Sequence, residues 1–211
     1  TLRPGSCVLD LGCGAGAYAL PLAEAGHTVL AVDPVPLHIT QLKSAVRPGM
    51  ALEALHGEAP GVLGAFPDGS FDAVLCLGPI YHLHSREDRL LCLRECARVL
   101  RPGGRIFLAF INGDWVIATQ TMLYDGADYL LMGDYDRESF RVDDFPFQFH
   151  TLLEAEEEVE EAGLHIHRLM TSDGLSEMHE QAVDAFTGEQ FAQWLRYHRH
   201  LCEKPEFLGC G

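Results

Sequence analysis

Positive charge is scarce in this chain: 15 lysines and arginines stand against 31 acids, a formal net charge of −16. A surface that tracks a phosphate backbone needs the opposite balance, so a nucleic-acid substrate is disfavoured. No apolar run is long enough to span a bilayer, and neither a secretory leader nor a membrane role is expected. None of the seven cysteines forms a C-x-x-C pair. They read as reduced core thiols of a cytoplasmic protein, and no metal site is expected. Repeats and low-complexity linkers are also missing. What remains is 211 residues with 47% apolar content, enough for one domain, or a domain with a lid, around a substantial core.

The most informative stretch is Val8-Leu9-Asp10-Leu11-Gly12-Cys13-Gly14-Ala15-Gly16, followed by Val29-Leu30-Ala31-Val32-Asp33. It reads as buried strand, glycine turn, helix, second strand, and an acid at that strand's C-terminal end. A parallel α/β sheet that binds an adenosine-bearing cofactor needs these parts in this order. Gly12, Gly14 and Gly16 let the backbone turn tightly and approach the cofactor. Asp33 lies 21 positions after Gly12, suited to accepting the ribose hydroxyls. Gly12-Cys13-Gly14-Ala15-Gly16-Ala17 also meets the dinucleotide pattern loosely, which keeps an NAD-dependent oxidoreductase among the readings. Asp10 tilts the choice: inside the strand it gains nothing from a pyrophosphate, but it favours a cofactor carrying ammonium and sulfonium.

DLGCGAG resembles motif I of the class I S-adenosylmethionine-dependent methyltransferases. Gly57-Glu58-Ala59 after a third strand, Phe66 to Val74 leading into a fourth, and Leu100-Arg101-Pro102-Gly103-Gly104 before a fifth follow that family's order. Leu77-Gly78-Pro79-Ile80-Tyr81-His82-Leu83 resembles the LGPLYHL signature of a bacterial subgroup of the methyltransferase domain 11/25 type, with Ile80 in place of Leu. The resemblance implies a three-layer, doubly wound, mostly parallel sheet and S-adenosyl-L-methionine as cofactor. It implies a cofactor set of Asp10, Gly12, Cys13, Gly14, Gly16, Tyr18, Asp33, Pro34, Glu58, Ala59, Leu77 and Gly78, with Glu58 and Ala59 at the adenine edge. Amino methyltransferases acting on nucleic acid carry [D/N]-P-P-[Y/F] after the fourth strand; here the leading Asp/Asn and second Pro are missing. A small-molecule methyl acceptor is expected.

Methyl transfer is an in-line displacement at carbon, so a protein must align donor and acceptor, remove water and, where needed, take a proton. His82 is the candidate base, with an unperturbed pKa of about 6.5. Tyr81 is the candidate for orienting the acceptor or donating to the cofactor's carboxylate. His165, His167, His198 and His200 form no recognisable metal pattern, and Cys92 with Cys96 on one helix face are too few for zinc. A non-catalytic cofactor-binding module stays open beside the enzyme.

Helices are expected at 17–25, 36–46, 85–100, 151–162, 175–186 and 188–203. Ser85 with Asp88 and Thr151 with Glu154 supply the capping patterns, and Gly163 the stop. The six glutamates between 154 and 161 read as a solvated face. Strands are expected at 7–11, 50–55, 71–77, 105–111 and 164–170 besides the second, a six-stranded sheet with the last antiparallel strand missing. The chain reads as short at both ends relative to the family. Residues 112–150 are too long for a plain βα connection. They carry Trp115, Tyr124, Tyr129, Tyr135, Phe140, Phe145, Phe147 and Phe149, eight of the 19 aromatics, and read as an inserted lid over the acceptor. A second packing layer or a dimer contact is the other reading, with monomer and homodimer both open.

Overall fold

The structure, a computed structural model, describes residues 2–142 and 146–209. Phe145 of the expected lid and Cys210 and Gly211 at the chain's end lie outside the described residues. The chain divides into two compact units, Thr1–Phe110 with Glu161–Leu164, and Ile111–Glu160 with His165–Gly211.

The first unit is built on a parallel sheet of β1 (Cys7–Leu11), β2 (Thr28–Asp33), β3 (Leu52–His56), β4 (Phe71–Cys76) and β5 (Leu100–Leu108), ordered β3-β2-β1-β4-β5. β1 and β4 are buried on both faces, which is why they read as continuous apolar runs. One face places Leu9, Leu11, Val74 and Cys76 against α3 (Arg86–Val99) in a single apolar cluster. The other places Val29, Ala31 and Ala54 against α1 (Ala19–Glu24) and α2 (Pro36–Ala45). The three-layer arrangement follows from this alternation of side chains. Strand order reverses between β1 and β4, and a crevice at such a switch point is where open α/β sheets bind ligands.

Two expectations about the sheet fail. Residues 164–170 form no strand, so the sheet has five strands rather than six. Alternation decides which side chains turn inward, but a strand also needs a partner's ladder, and no described residue supplies one there. The fifth strand ends at Leu108 instead of residue 111. Its ladder with β4 shifts register between Phe71 and Ala73, absorbing the Pro102-Gly103-Gly104 turn. The Ser85 cap forms as expected: its hydroxyl accepts from Asp88 N at 3.0 Å.

The second unit holds β6 (Ile111–Asn112) paired in parallel with β7 (Phe149–His150). Its helices are α4 (Gly113–Thr119), a π-helical turn Gln120–Tyr124, α5 (Tyr129–Met132), α6 (Leu152–Glu161), α7 (Leu175–Met178), α8 (Glu180–Asp184) and α9 (Gly188–Cys202). Thr151 and Glu154 make the reciprocal cap of α6, with backbone-to-side-chain bonds of 2.9 and 3.3 Å. Thr187 and Gln190 do the same for α9. The expected helix 175–186 is broken at His179, whose φ of −134° is not helical. The glutamate run is not wholly solvated: Glu158 is buried, 3.6 Å from the buried His150 ring. Tyr129, Tyr135 and Phe140 stack in series, with the Arg137 guanidinium 4.0 Å above the Tyr135 ring.

Candidate active site

The expected cofactor residues gather at the C-terminal edge of the first unit's sheet, where β1, β2, β3 and β4 end in Leu11, Asp33, His56 and Cys76. The backbone amides of Gly12 and Cys13 both donate to the Val32 carbonyl, at 2.8 and 3.0 Å, fixing the turn to β2. Gly14 N donates to Asp33 Oδ2 at 2.8 Å. The acid at the end of β2 thus shapes the glycine loop as well as facing the crevice. Asp33 Oδ1 accepts from Val35 N, and the His38 ring nitrogen Nδ1 lies at the same distance, 2.9 Å, from it. Beside a carboxylate that nitrogen is the donor. Oδ2 has a single partner among the described residues and keeps acceptor capacity beyond it.

The three motif glycines serve three different needs. A Cβ on Gly12 would lie 2.9 Å from Pro79 Cδ, so this glycine lets the loop after β4 seat against the loop after β1. A Cβ on Gly16 would lie 2.4 Å from Leu42 Cδ1, so this one admits α2 to the core. Gly14, with φ +53°, has open space where its Cβ would be. It is the one of the three positioned for close approach by a ligand.

Asp10 is 2% exposed, and its Oδ2 has no hydrogen-bond partner among the described residues. Burial, with Asp33 adding to it and a hydrogen bond from the Ala19 amide opposing it, pushes its carboxyl up to about 6. A buried acid with one orphaned oxygen is a costly arrangement unless a donor or a cation arrives. Burial, then the nearby Asp10 and Asp33, push the Cys13 thiol up to about 12, so Cys13 is a neutral packing residue of the loop. These observations fit a cationic adenosine cofactor: an orphaned acid, an open glycine and a carboxylate with spare acceptor capacity.

Leu77 and Gly78 follow β4 directly, and Tyr81 and His82 lie in a single 3₁₀ turn, Ile80–His82. Their rings are 4.9 Å apart. Tyr81 is half-buried, and the position a Gly78 Cβ would take is 3.8 Å from its hydroxyl. Burial raises the Tyr81 phenol further above its ordinary value, so it stays protonated and acts as a hydrogen-bonding group rather than a base. His82 is exposed. Tyr18, just before α1, is 56% exposed. Pro34 and Glu58 are exposed and Ala59 half-buried; the Pro34 carbonyl accepts from His56 Nε2 at 2.9 Å, tying the ends of β2 and β3 together.

Two contributors escaped the sequence reading. Arg89 is 6% exposed and its guanidinium donates to the Leu83 and His84 carbonyls, both at 2.9 Å, pinning the segment that carries Tyr81 and His82. Its position on the buried stripe with Leu93 and Cys96 was a readable clue, since a cation on an apolar face needs acceptors. His38 had no such clue. The structure also adds a third thiol, Cys76, to the Cys92 and Cys96 pair.

The sheet order, the glycine loop and its two acids match the Rossmann-like α/β fold. Residues 9–108 match the family described as "Methyltransferase domain". It is 33% identical over 132 residues to a ubiquinone biosynthesis O-methyltransferase of Xanthomonas campestris pv. campestris, covering 60% of this chain and 51% of that protein. A protein of the same name from Methylocella silvestris is 34% identical over 135 residues, covering 60% and 47%. The chain thus spans about half the length of these curated relatives. A crystal structure of a methyltransferase from Methanosarcina mazei superposes with a TM-score of 0.58 at 21% identity, over 76% of this chain and 80% of that one, and supports the fold.

Proposed function

We propose that this protein transfers a methyl group from S-adenosylmethionine to an oxygen of a small-molecule acceptor. The observation that carries the reading is the buried Asp10 carboxylate, one oxygen orphaned, beside the open Gly14. The names of the relatives, O-methyltransferases of ubiquinone biosynthesis, favour an oxygen nucleophile. When bound, the cofactor supplies a methyl carbon on positively charged sulfur. Asp10 stabilises its positive charge, Asp33 accepts from its ribose hydroxyls, and Glu58 and Ala59 border its adenine; Gly12, Cys13, Gly14, Gly16, Tyr18, Pro34, Leu77 and Gly78 complete the contacts.

On the acceptor side the Tyr81 hydroxyl orients the nucleophile and His82 Nδ1 or Nε2 takes its proton, which passes to solvent because the ring is exposed. Chain order supports reading 112–150 as the acceptor lid of a single methyltransferase domain spanning 1–211, since the segment begins just past the C-terminal end of β5. The acidic balance supports excluding nucleic acid. No helix among the described residues is long and apolar enough to cross a membrane. The protein is read as a cytoplasmic monomer or homodimer.

Calorimetry with S-adenosylmethionine and with S-adenosylhomocysteine tests the cofactor, and failure of both to bind overturns the proposal. Turnover is read by mass spectrometry of methylated phenol and catechol panels. His82→Ala is expected to abolish turnover and leave cofactor affinity within about twofold. Retained turnover makes His82 a packing residue, whereas binding without turnover on any acceptor returns the non-catalytic module.

A further inference from the structure

Helix α3 presents Cys92 and Cys96 one turn apart, and β4 ends in Cys76 on the same sheet face. The three Sγ atoms lie within 4.8 Å of one another, and all three residues are fully buried. Their surroundings are the apolar cluster of the first unit, including Leu9, Val74 and Leu93. Ordinary core packing distributes cysteines singly among aliphatic neighbours; here three soft donors converge on one point. Nothing in the proposed methyl transfer uses them.

Three considerations select an occupant. Thiolates prefer soft, thiophilic ions. Among the described residues no histidine, fourth cysteine or carboxylate joins the group, whereas structural zinc takes four ligands. Charge decides between the ions that remain. The acid next to Cys96, Glu95, is itself paired with Arg98 at 2.7 Å, so the thiolates must be balanced by the ion they hold. Three thiolates around a monovalent ion leave two uncompensated negative charges, and around a divalent ion one. A trivalent ion leaves none, and a neutral complex is the form an apolar core accepts at least cost.

We propose that Cys76, Cys92 and Cys96 form a three-coordinate site for one trivalent, thiophilic metalloid ion of the arsenic(III) type. Its lone pair takes the place of the missing fourth ligand. Binding is a condensation without redox change: arsenous acid gives up three hydroxyl groups, the thiols give up three protons, and three waters leave as three As–S bonds replace three As–O bonds. The site is sealed, so entry requires local opening between α3 and β4 and is slow compared with reaction of an exposed thiol. The inference is independent of the methyl-transfer reading.

Arsenite incubated with the full chain is the probe. Native mass spectrometry is expected to show one arsenic per chain, and X-ray absorption a shell of three sulfurs without oxygen. The thermal midpoint rises, because the ion binds the folded state. Cys76→Ala, Cys92→Ala and Cys96→Ala each lose the three-sulfur shell and weaken binding by about tenfold or more, while Cys202→Ala keeps both. A lowered midpoint in the unmutated protein overturns the site, since it means that arsenite captures thiols of the unfolded chain. A shell with oxygen in it, unchanged affinity in Cys76→Ala, or preferential uptake of zinc from an equimolar mixture overturns it as well. The midpoint measurement stands even if a variant does not fold.

Discussion

The two units of this protein are held together by different means. In the first, long-range backbone ladders join strands distant in sequence, and loops hang from those ladders: Gly12 and Cys13 on Val32, Gly14 on Asp33. In the second, strands are two residues long and side chains do the joining. Glu177 accepts from Trp115 Nε1 at 2.6 Å and from the Tyr124 hydroxyl at 3.1 Å, and the His198 ring lies between Ser176 Oγ and the Ser172 carbonyl, each at 3.1 Å. A ladder fixes geometry whatever its side chains are, so a site built on its edge is precise. Ties through side chains are specific to this sequence and open one at a time.

The largest test of that contrast is Leu93→Ala, which removes a fully buried side chain next to the sheet and is expected to cost about 2–5 kcal/mol. Both tryptophans, Trp115 and Trp194, belong to the second unit, so fluorescence follows that unit alone while circular dichroism follows both. If the variant shifts the two unfolding curves in urea equally, the units unfold as one and the contrast collapses.

Next, Asp33→Ala removes the proposed ribose acceptor and the acceptor of the Gly14 amide together. We expect cofactor affinity to fall by about 2–3 kcal/mol in calorimetry, on the scale of hydrogen bonds to a charged group. An unchanged affinity would mean that the loop does not depend on its ladder-end acid.

A smaller effect comes from Asp10. Burial holds its carboxyl at about 6 against an ordinary 3.8. The folded protein therefore holds this proton more tightly than the unfolded chain. Its contribution to stability is full below about pH 4 and is lost as pH rises through about 6. A cationic ligand favours the ionised form, so its binding should release a proton near pH 6 and tighten as pH rises to that value. Calorimetry in two buffers of different ionisation enthalpy reads the proton. The release should vanish in Asp10→Asn; if it persists, another group is the source.

The smallest effect is expected from Glu177→Ala, under about 1 kcal/mol, with a red shift of Trp115 emission as its indole donor turns to water. A loss as large as that of Leu93→Ala would show that the second unit is as cooperative as the first.

What could be read from the sequence divides along the same line. β1, β2 and β4 were legible because strands buried on both faces are written as apolar runs, and the turn after β1 because only glycine fits Gly12 and Gly16. The caps at Ser85 and Thr151 are local and were equally plain. The strand at 164–170 was misread because its alternation is local while the ladder it needs is not. Asp33 was read as a ribose acceptor, but its grip on Gly14 N comes from loop geometry that spacing does not encode. Arg89 was hidden because its partners are backbone carbonyls, which have no letter in a sequence.

One contact reaches further than its size suggests. Pro79 rests where Gly12 has no side chain, so the loop beside the donor and the loop that carries Tyr81 and His82 are a single mechanical part. If the proposed methyl transfer is retuned toward a new acceptor by exchanging residues 78–84, the grip on the methyl donor changes too. The two specificities can be engineered only as a pair.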